Sequence, residues 1–173
     1  HCIRNRLTSL NIPAGVEMVF CSGNELTSLT LSPGIDIVDC FTNNLKSLYV
    51  PTGIKKVNCG KNELTSLTLS SGIERVDCEQ NQLTSLDIPI GVRQVDCEHN
   101  LLTSLAIPPG VEKVGCGHNQ LTLLTVPEGV DILYCGYNQL TSLDLPMGIR
   151  YVYCRSNRLT SLYGPLISIV DWY

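Results

Sequence analysis

The sequence predicts a helix-free, β-rich solenoid in which one short unit is copied from end to end. Its cysteines recur every nineteen residues, at positions 2, 21, 40, 59, 78, 97, 116, 135 and 154. An asparagine follows each cysteine three residues later, and apolar residues alternate with variable ones before it. A short fixed period is typical of solenoids, because neighbouring copies bury the faces that one copy alone leaves open. We therefore expect stacked coils whose equivalent residues form columns.

The first segment of each copy is predicted to be a β-strand with one buried face. In the copy that begins at Val111, we expect Val114 and Cys116 to point inward while Lys113 and Gly115 point outward. This alternation has the two-residue period of a half-buried strand. Equivalent strands of successive copies would then lie about 4.8 Å apart in one parallel sheet.

The second segment returns the chain across the core. The asparagine amide is expected to hydrogen-bond backbone groups left open by the turn, in its own copy and in the neighbouring one. Leu121 and Leu124 of the L-x-x-L pattern then face the core, and Pro127 and Gly129 end the segment. Nineteen residues leave no room for a helix here, so we expect an extended or polyproline-like segment. A two-sheet parallel β-helix is the alternative, because S-L-x-L also has the pattern of a strand.

Aligned on the cysteine, eight copies begin at residues 16, 35, 54, 73, 92, 111, 130 and 149. A partial copy precedes them at residues 2–15, and a truncated capping strand follows at residues 167–173. We expect a single domain over residues 1–173. Ile167, Val170 and Trp172 are predicted to fill inward positions as a terminal lid. The start of the chain is expected to be trimmed, with an N-terminal cap missing.

The unit resembles the leucine-rich repeat, whose core is L-x-x-L-x-L-x-x-[NC]-x-L. Here it occurs as VEKVGCGHNQL at residues 111–121 and as IRYVYCRSNRL at residues 149–159. The short copies look like those of bacterial leucine-rich-repeat effectors and BspA-like surface proteins, and the cysteine column looks like that of the cysteine-ladder internalins. The resemblance implies a right-handed superhelix with a parallel concave sheet and a helix-free convex side. Two departures are the cysteine in place of the third leucine and the short repeat.

The nine cysteines are expected to be buried, reduced thiols that pack as small hydrophobic groups. Their number is odd, no C-x-x-C pair occurs, and each occupies an inward position. His99 and His118 are equivalent residues of adjacent copies, but Cys116 is expected to point away from both. A metal ion would lack a third converging ligand there. We therefore predict no metal site and no cofactor.

Charge and hydropathy limit the classes of partner. The net charge is −4 and the twelve basic residues are spread along the chain, whereas nucleic-acid binding needs a concentrated basic surface. No apolar run approaches the about 18–20 residues of a membrane span. The predicted partner is another protein, and the chain itself is expected to be a monomer.

Two groups of outward side chains are candidate partner-binding residues. The aromatic cluster lies in the C-terminal copies and comprises Ile132, Tyr134, Tyr137, Tyr151, Tyr153 and Arg155. Tyrosine and arginine are favoured as anchors because they bury a large area and keep a polar end. The acidic group lies in the middle copies and comprises Asp77, Glu79, Asp96 and Glu98.

Each group also has a structural interpretation. Tyrosine suits exposed strands, and the rings could support the terminal lid. The acidic group could be a solvated surface neutralised by Lys56, Arg75 and Lys113. However, its like charges fall on adjacent strands, an arrangement that is unfavourable for folding.

These features predict a non-enzymatic protein-recognition module that binds its partner through the concave sheet, of a bacterial kind that is secreted, delivered into a host or held at the cell surface. The sequence holds no catalytic residues in the form of a nucleophile elbow, phosphate loop or zinc-hydrolase motif. A first alternative is the substrate-recognition part of a larger enzyme, such as a leucine-rich-repeat ubiquitin ligase. A second is a structural or designed repeat, although the exposed columns vary strongly between copies. The sequence leaves the partner and the compartment open.

Overall fold

The computed structural model describes residues 1–164 and the backbone of residues 169–171. These residues contain thirteen short strands and no helix. In chain order the strands are β1 (Met18–Phe20), β2 (Ile37–Asp39), β3 (Ser47–Val50), β4 (Lys56–Asn58), β5 (Ser66–Leu69), β6 (Arg75–Asp77), β7 (Gln94–Asp96), β8 (Lys113–Gly115), β9 (Ile132–Tyr134), β10 (Ser142–Asp144), β11 (Tyr151–Tyr153), β12 (Ser161–Tyr163) and β13 (Ile169–Asp171).

One parallel sheet runs the length of the solenoid, with one strand from each coil. Within the described residues its order is β1-β2-β4-β6-β7-β8-β9-β11-β13. The register follows the repeat, so that Val95 lies opposite Val76 on one side and Val114 on the other. The last strand places Val170 opposite Val152. The predicted solenoid with a parallel sheet is confirmed.

The core lies between this sheet and the returning segments. Its columns are the inward strand residues, the cysteines and the leucines of L-x-x-L, which are almost completely buried. The cysteines from Cys21 to Cys135 are buried free thiols, Cys154 is buried as well, and Cys2 is half-buried. Burying one such apolar side chain contributes about 1.5–3 kcal/mol to the stability of the fold. That stability is therefore spread over many similar contacts between coils. The predicted column of buried cysteines is confirmed, except at Cys2.

A buried asparagine closes each turn and links it to the preceding coil. The Nδ2 of Asn119 donates to the carbonyls of Cys116, at 3.1 Å, and of Cys97, at 3.0 Å. Its Oδ1 accepts a hydrogen bond from the N–H of Leu102 at 3.0 Å. The same pattern recurs from Asn24 to Asn157. The asparagine therefore does what the sequence predicts, within its own coil and between coils.

The side opposite the large sheet carries two short ladders. β3 pairs with β5, and β10 pairs with β12, both in parallel. The segments between them, at residues 85–88, 104–107 and 123–126, carry no strand assignment. This side is therefore helix-free in the described residues, and the two-sheet alternative is realised only locally.

The predicted terminal lid falls largely outside the described residues. Ile167 and Trp172 lie outside the described residues, so the lid stays a prediction. In the described part of the chain, no helix is long and apolar enough to cross a membrane.

Candidate protein-binding site

Strands β9 and β11 bring the aromatic cluster together on the outer face of the large sheet. Tyr151 lies opposite Ile132, and Tyr153 lies opposite Tyr134. The ring centroid of Tyr134 is 5.3 Å from that of Tyr151 and 6.4 Å from that of Tyr153. These are the tilted, offset separations that aromatic pairs favour. The rings therefore form one packed patch of half-buried side chains.

Tyr137 reaches the patch from a turn whose backbone is left-handed. Its φ is 55°, a conformation uncommon for residues other than glycine. The Nδ2 of Asn138 bonds to the carbonyls of Cys135, at 3.1 Å, and of Gly136, at 3.2 Å, just before this residue. These bonds hold the strained turn, and with it the direction in which Tyr137 points.

The same turn position stacks a column of rings beside the sheet. His99 and His118 have φ values of 54° and 53°. The His99 and His118 centroids lie 3.9 Å apart, and those of His118 and Tyr137 lie 4.0 Å apart, with nearly parallel planes. Burial, His99 and Arg155 together lower the pKa of His118 below its usual 6.5, which keeps its imidazole neutral at pH 7.

Arg155 closes the aromatic cluster by lying against two tyrosines. Its guanidinium carbon is 5.1 Å from the Tyr137 centroid and 5.0 Å from the Tyr153 centroid. Both distances are within the range of cation–π attraction. The Arg155 Nε is buried and has no hydrogen-bond partner among the described residues.

An open depression of about 290 Å³ lies between the aromatic cluster and the acidic group. We call it the glycine cleft, because Gly117 and Gly136 lie where other coils carry a side chain. A Cβ atom at Gly136 would come within 2.6 Å of Cε1 of Tyr153, whose ring lies across it. The cleft is lined by Glu98, Gly117, His118, Tyr134, Gly136, Tyr137, Tyr151, Tyr153 and Arg155.

The acidic group occupies neighbouring strands on the same face. Asp77 lies directly opposite Asp96. Arg75 forms an ion pair with Asp77 at 3.0 Å, whereas Asp96 accepts a hydrogen bond from the N–H of Glu98 at 3.1 Å. The latter bond gives Asp96 a structural role in the turn that the sequence did not reveal.

The carboxyl groups of Asp96 and Glu98 have raised pKa values. Burial is the main cause for both, and the neighbouring carboxylates add to it. The hydrogen bond from the Glu98 N–H opposes the rise at Asp96, and Lys113 opposes it to a smaller extent at both groups. No described residue forms an ion pair with either group.

Proteins similar to this chain were found among solved structures. No family model matches the chain, and no curated protein does. Among solved structures, YopM from Yersinia enterocolitica WA-314 superposes with a TM-score of 0.77 at 20% identity, over 98% of this chain and 45% of that one. A Shigella effector leucine-rich-repeat domain gives 0.73 at 22% identity, over 83% and 70%. The functional domain of InlJ from Listeria monocytogenes, which includes a cysteine ladder, gives 0.60 at 18% identity, over 97% and 57%.

The chain has the leucine-rich-repeat fold. This agrees with the resemblance drawn from the repeat motif, including the similarity to bacterial effectors and to a cysteine-ladder internalin. The chain spans about half the length of the Yersinia enterocolitica protein and 64% of a second YopM, a leucine-rich effector protein from Yersinia pestis.

Within this leucine-rich-repeat solenoid, the predicted site residues divide into two sets. Five members of the aromatic cluster line the glycine cleft together with Glu98. The remaining predicted residues lie outside it, although on the same face, and are Asp77, Glu79, Asp96 and Ile132.

Three residues that the sequence analysis did not select contribute to the site. They are His118, Gly117 and Gly136, which form its edge and its floor. The glycines carry a signal in the sequence, because they replace Glu79 and Glu98 of earlier copies in one outward column. In the described residues, no three metal-binding side chains converge.

Proposed function

We propose that the chain is a protein-recognition module of the bacterial effector or surface-protein kind, which binds its partner through the outer face of the nine-stranded sheet. One observation carries this proposal: Tyr134, Tyr137, Tyr151, Tyr153 and Arg155 are packed side by side around an open cleft on that face. A contiguous patch of half-buried aromatic side chains that solvent can reach marks an interaction site.

The fold supports the same proposal. The sheet face presents side chains from successive coils at a spacing of about 4.8 Å, so one partner can touch many coils at once. The structural neighbours include effector proteins and an internalin domain. An effector role would place the chain outside the bacterium or inside a host cell.

The test is affinity capture from bacterial and host lysates with the parent chain and the variant Tyr134→Ala/Tyr151→Ala/Tyr153→Ala. We expect the variant to lose one protein that the parent retains. With that protein purified, the variant should raise Kd at least about 100-fold, since each aromatic anchor can contribute 2 kcal/mol or more.

A matched control removes three apolar side chains that lie away from the sheet face. Tyr49→Ala/Leu123→Ala/Met147→Ala changes residues that are more than half exposed, and it should keep the partner. Circular dichroism melts of both variants separate lost binding from lost structure. Equal retention by the tyrosine variant and the parent would contradict the proposed binding face.

A further inference from the structure

The glycines of the cleft region are explained by space and not by backbone conformation. Gly115, Gly117 and Gly136 lie outside the positive-φ positions, where the turn glycines of the repeat fall. A Cβ at Gly115 would lie 3.0 Å from Oδ1 of Asp96, and one at Gly117 would lie 3.2 Å from the carbonyl oxygen of Gly136, with Cδ of Glu98 at an ordinary contact distance of 3.7 Å. The acidic side chains therefore lie over the glycines from one side, and Tyr153 does so from the other. Between them the cleft stays open.

The size of the cleft suits one side chain of a partner. Its volume of about 290 Å³ lies just below the range of about 300–1,000 Å³ that is typical of small-molecule sites. Its walls are tyrosine rings, and its acidic end is Glu98. An apolar guest would bury the Glu98 carboxylate without a partner, and an acidic guest would be repelled by that carboxylate, although Arg155 would attract it.

The acidic end of the cleft carries a negative charge without an ion pair among the described residues, and Arg155 at the other end carries a positive one. Asp77 already has Arg75, whereas Asp96 and Glu98 have no ion pair among the described residues. The Glu98 carboxylate also makes no hydrogen bond there. The raised pKa values of both groups show that their negative charge is disfavoured in the free protein. An incoming cation would relieve this cost.

The tyrosine wall already holds cations of the chain itself. Lys113 Nζ lies 5.6 Å from the centroid of Tyr134, and the Arg155 guanidinium lies between Tyr137 and Tyr153. Faces of aromatic rings attract cations through their quadrupole. The rings thus already attract cations of the chain, and the Glu98 carboxylate at the other side of the cleft favours a further positive charge.

We propose that the glycine cleft binds a lysine or arginine side chain of the partner protein, with its cationic head against Glu98 and its aliphatic stem along the tyrosine wall. This inference rests on the proposed function and specifies the partner chemistry at that site. It predicts that the contacting segment of the partner is basic.

The test uses amino-acid amides as probes in NMR titrations of the isotopically labelled full chain. N-acetyl-arginine amide should shift the amide signals of Gly117 and Gly136 saturably, with a Kd of about 1–10 mM. N-acetyl-citrulline amide has nearly the same shape without the charge, and it should bind at least about 10-fold more weakly. N-acetyl-glutamate amide should leave these signals unchanged.

Glu98→Gln keeps the shape of the side chain and removes its charge. It should weaken arginine binding about 10-fold, whereas Glu63→Gln, at an exposed position, should not change it. Equal binding of citrulline and arginine, absence of saturable shifts, or an unchanged Kd for Glu98→Gln would each overturn the inference.

The two proposals can fail separately. If arginine amide does not bind but the triple tyrosine variant loses its captured partner, the proposed binding face is kept. The proposal that the cleft binds a cationic side chain is then wrong. If arginine amide binds through Glu98 but the triple variant keeps its partner, the proposed function at this face is wrong.

Discussion

The Nδ2 of Asn100 donates a hydrogen bond to the carbonyl of Cys78 at 3.0 Å, across 22 residues of sequence. The same amide bonds to the carbonyl of Cys97 in its own turn at 3.1 Å. Its Oδ1 accepts a hydrogen bond from the N–H of Leu83 at 3.0 Å. One buried side chain therefore fixes its own turn and fastens it to the preceding coil.

Asn100→Ala should lower the free energy of unfolding by about 2–3 kcal/mol. The Leu83 N–H is buried and would lose its acceptor, and an unsatisfied buried donor costs about 1–3 kcal/mol before the lost packing is counted. Urea unfolding measures the difference. Asn5→Ala is the matched control, because Asn5 is exposed and bonds only within its own turn. A comparable loss for both variants would contradict the coupling between coils.

The asparagine ladder shows how far the sequence alone could go. A polar residue repeated at one position just after an inward strand residue has to satisfy backbone groups, because a buried amide without partners is costly. The period, the sheet and both ladders follow from such columns. They are properties of the repeat, and the same pattern recurs in every copy.

The left-handed turn before each asparagine could not be predicted in this way. In eight coils its residue is not glycine, and it varies from Arg4 to Tyr137 and Ser156. Local preference would favour glycine there. Tertiary hydrogen bonds from the asparagine override that preference. No single residue type therefore recurs at this position of the repeat. That His99 and His118 are neighbours was predicted from their equivalent positions, whereas the stacking of His118 on Tyr137 follows from this turn and was missed.

Cys97→Ser should destabilise the fold by about 1–3 kcal/mol. The side chain is completely buried, and a hydroxyl without a hydrogen-bond partner is penalised where a thiol packs as a small hydrophobic group. Thermal and urea unfolding both report the loss. Cys2→Ser should cost less, since Cys2 is only half-buried. A Cys97→Ser variant as stable as the parent would contradict the packing role of the column.

The cysteine column should resist thiol reagents in the native state. Burial raises the pKa of Cys21 and of Cys59 to about 12, so only about 1 thiol in 10⁴ is ionised at pH 8. We expect Cys2 to react first, while the seven cysteines from Cys21 to Cys135 react only after unfolding in urea. Peptide mass mapping locates the labels. Rapid native labelling of any of the seven would contradict the expected protection, and Cys2→Ser should remove the fast phase.

The candidate site was partly visible in the sequence. Outward tyrosines on adjacent copies predict a patch, because equivalent residues of a solenoid become neighbours. The cleft depends on which way side chains lean over Gly117 and Gly136, and that is decided by three-dimensional contact with Glu98 and Tyr153. Only the structure could show that one acidic residue and five members of the aromatic cluster surround one opening.

Glu98→Gln should stabilise the free protein at pH 7 and lose that advantage on acidification. Burial holds the folded-state pKa of Glu98 above its unfolded value of about 4.3. Between the two values the native state binds more protons than the unfolded state, so the stability of the parent falls as the pH rises through this window. Removing the charge should raise the free energy of unfolding at pH 7, measured by urea unfolding, by less than about 1 kcal/mol, because Glu98 is partly solvated.

At pH 4 the parent and Glu98→Gln should have nearly equal stabilities, because Glu98 is then largely protonated in the folded state. Glu63→Gln, an exposed substitution outside the acidic group, should give no such pH-dependent difference. If Glu98→Gln instead lowers stability at pH 7, the Glu98 carboxylate stabilises the fold. That result would count against the proposed binding of a cationic side chain at the glycine cleft. A gain in stability combined with weaker arginine binding would show that Glu98 is kept at the expense of folding, as expected for a residue that serves recognition.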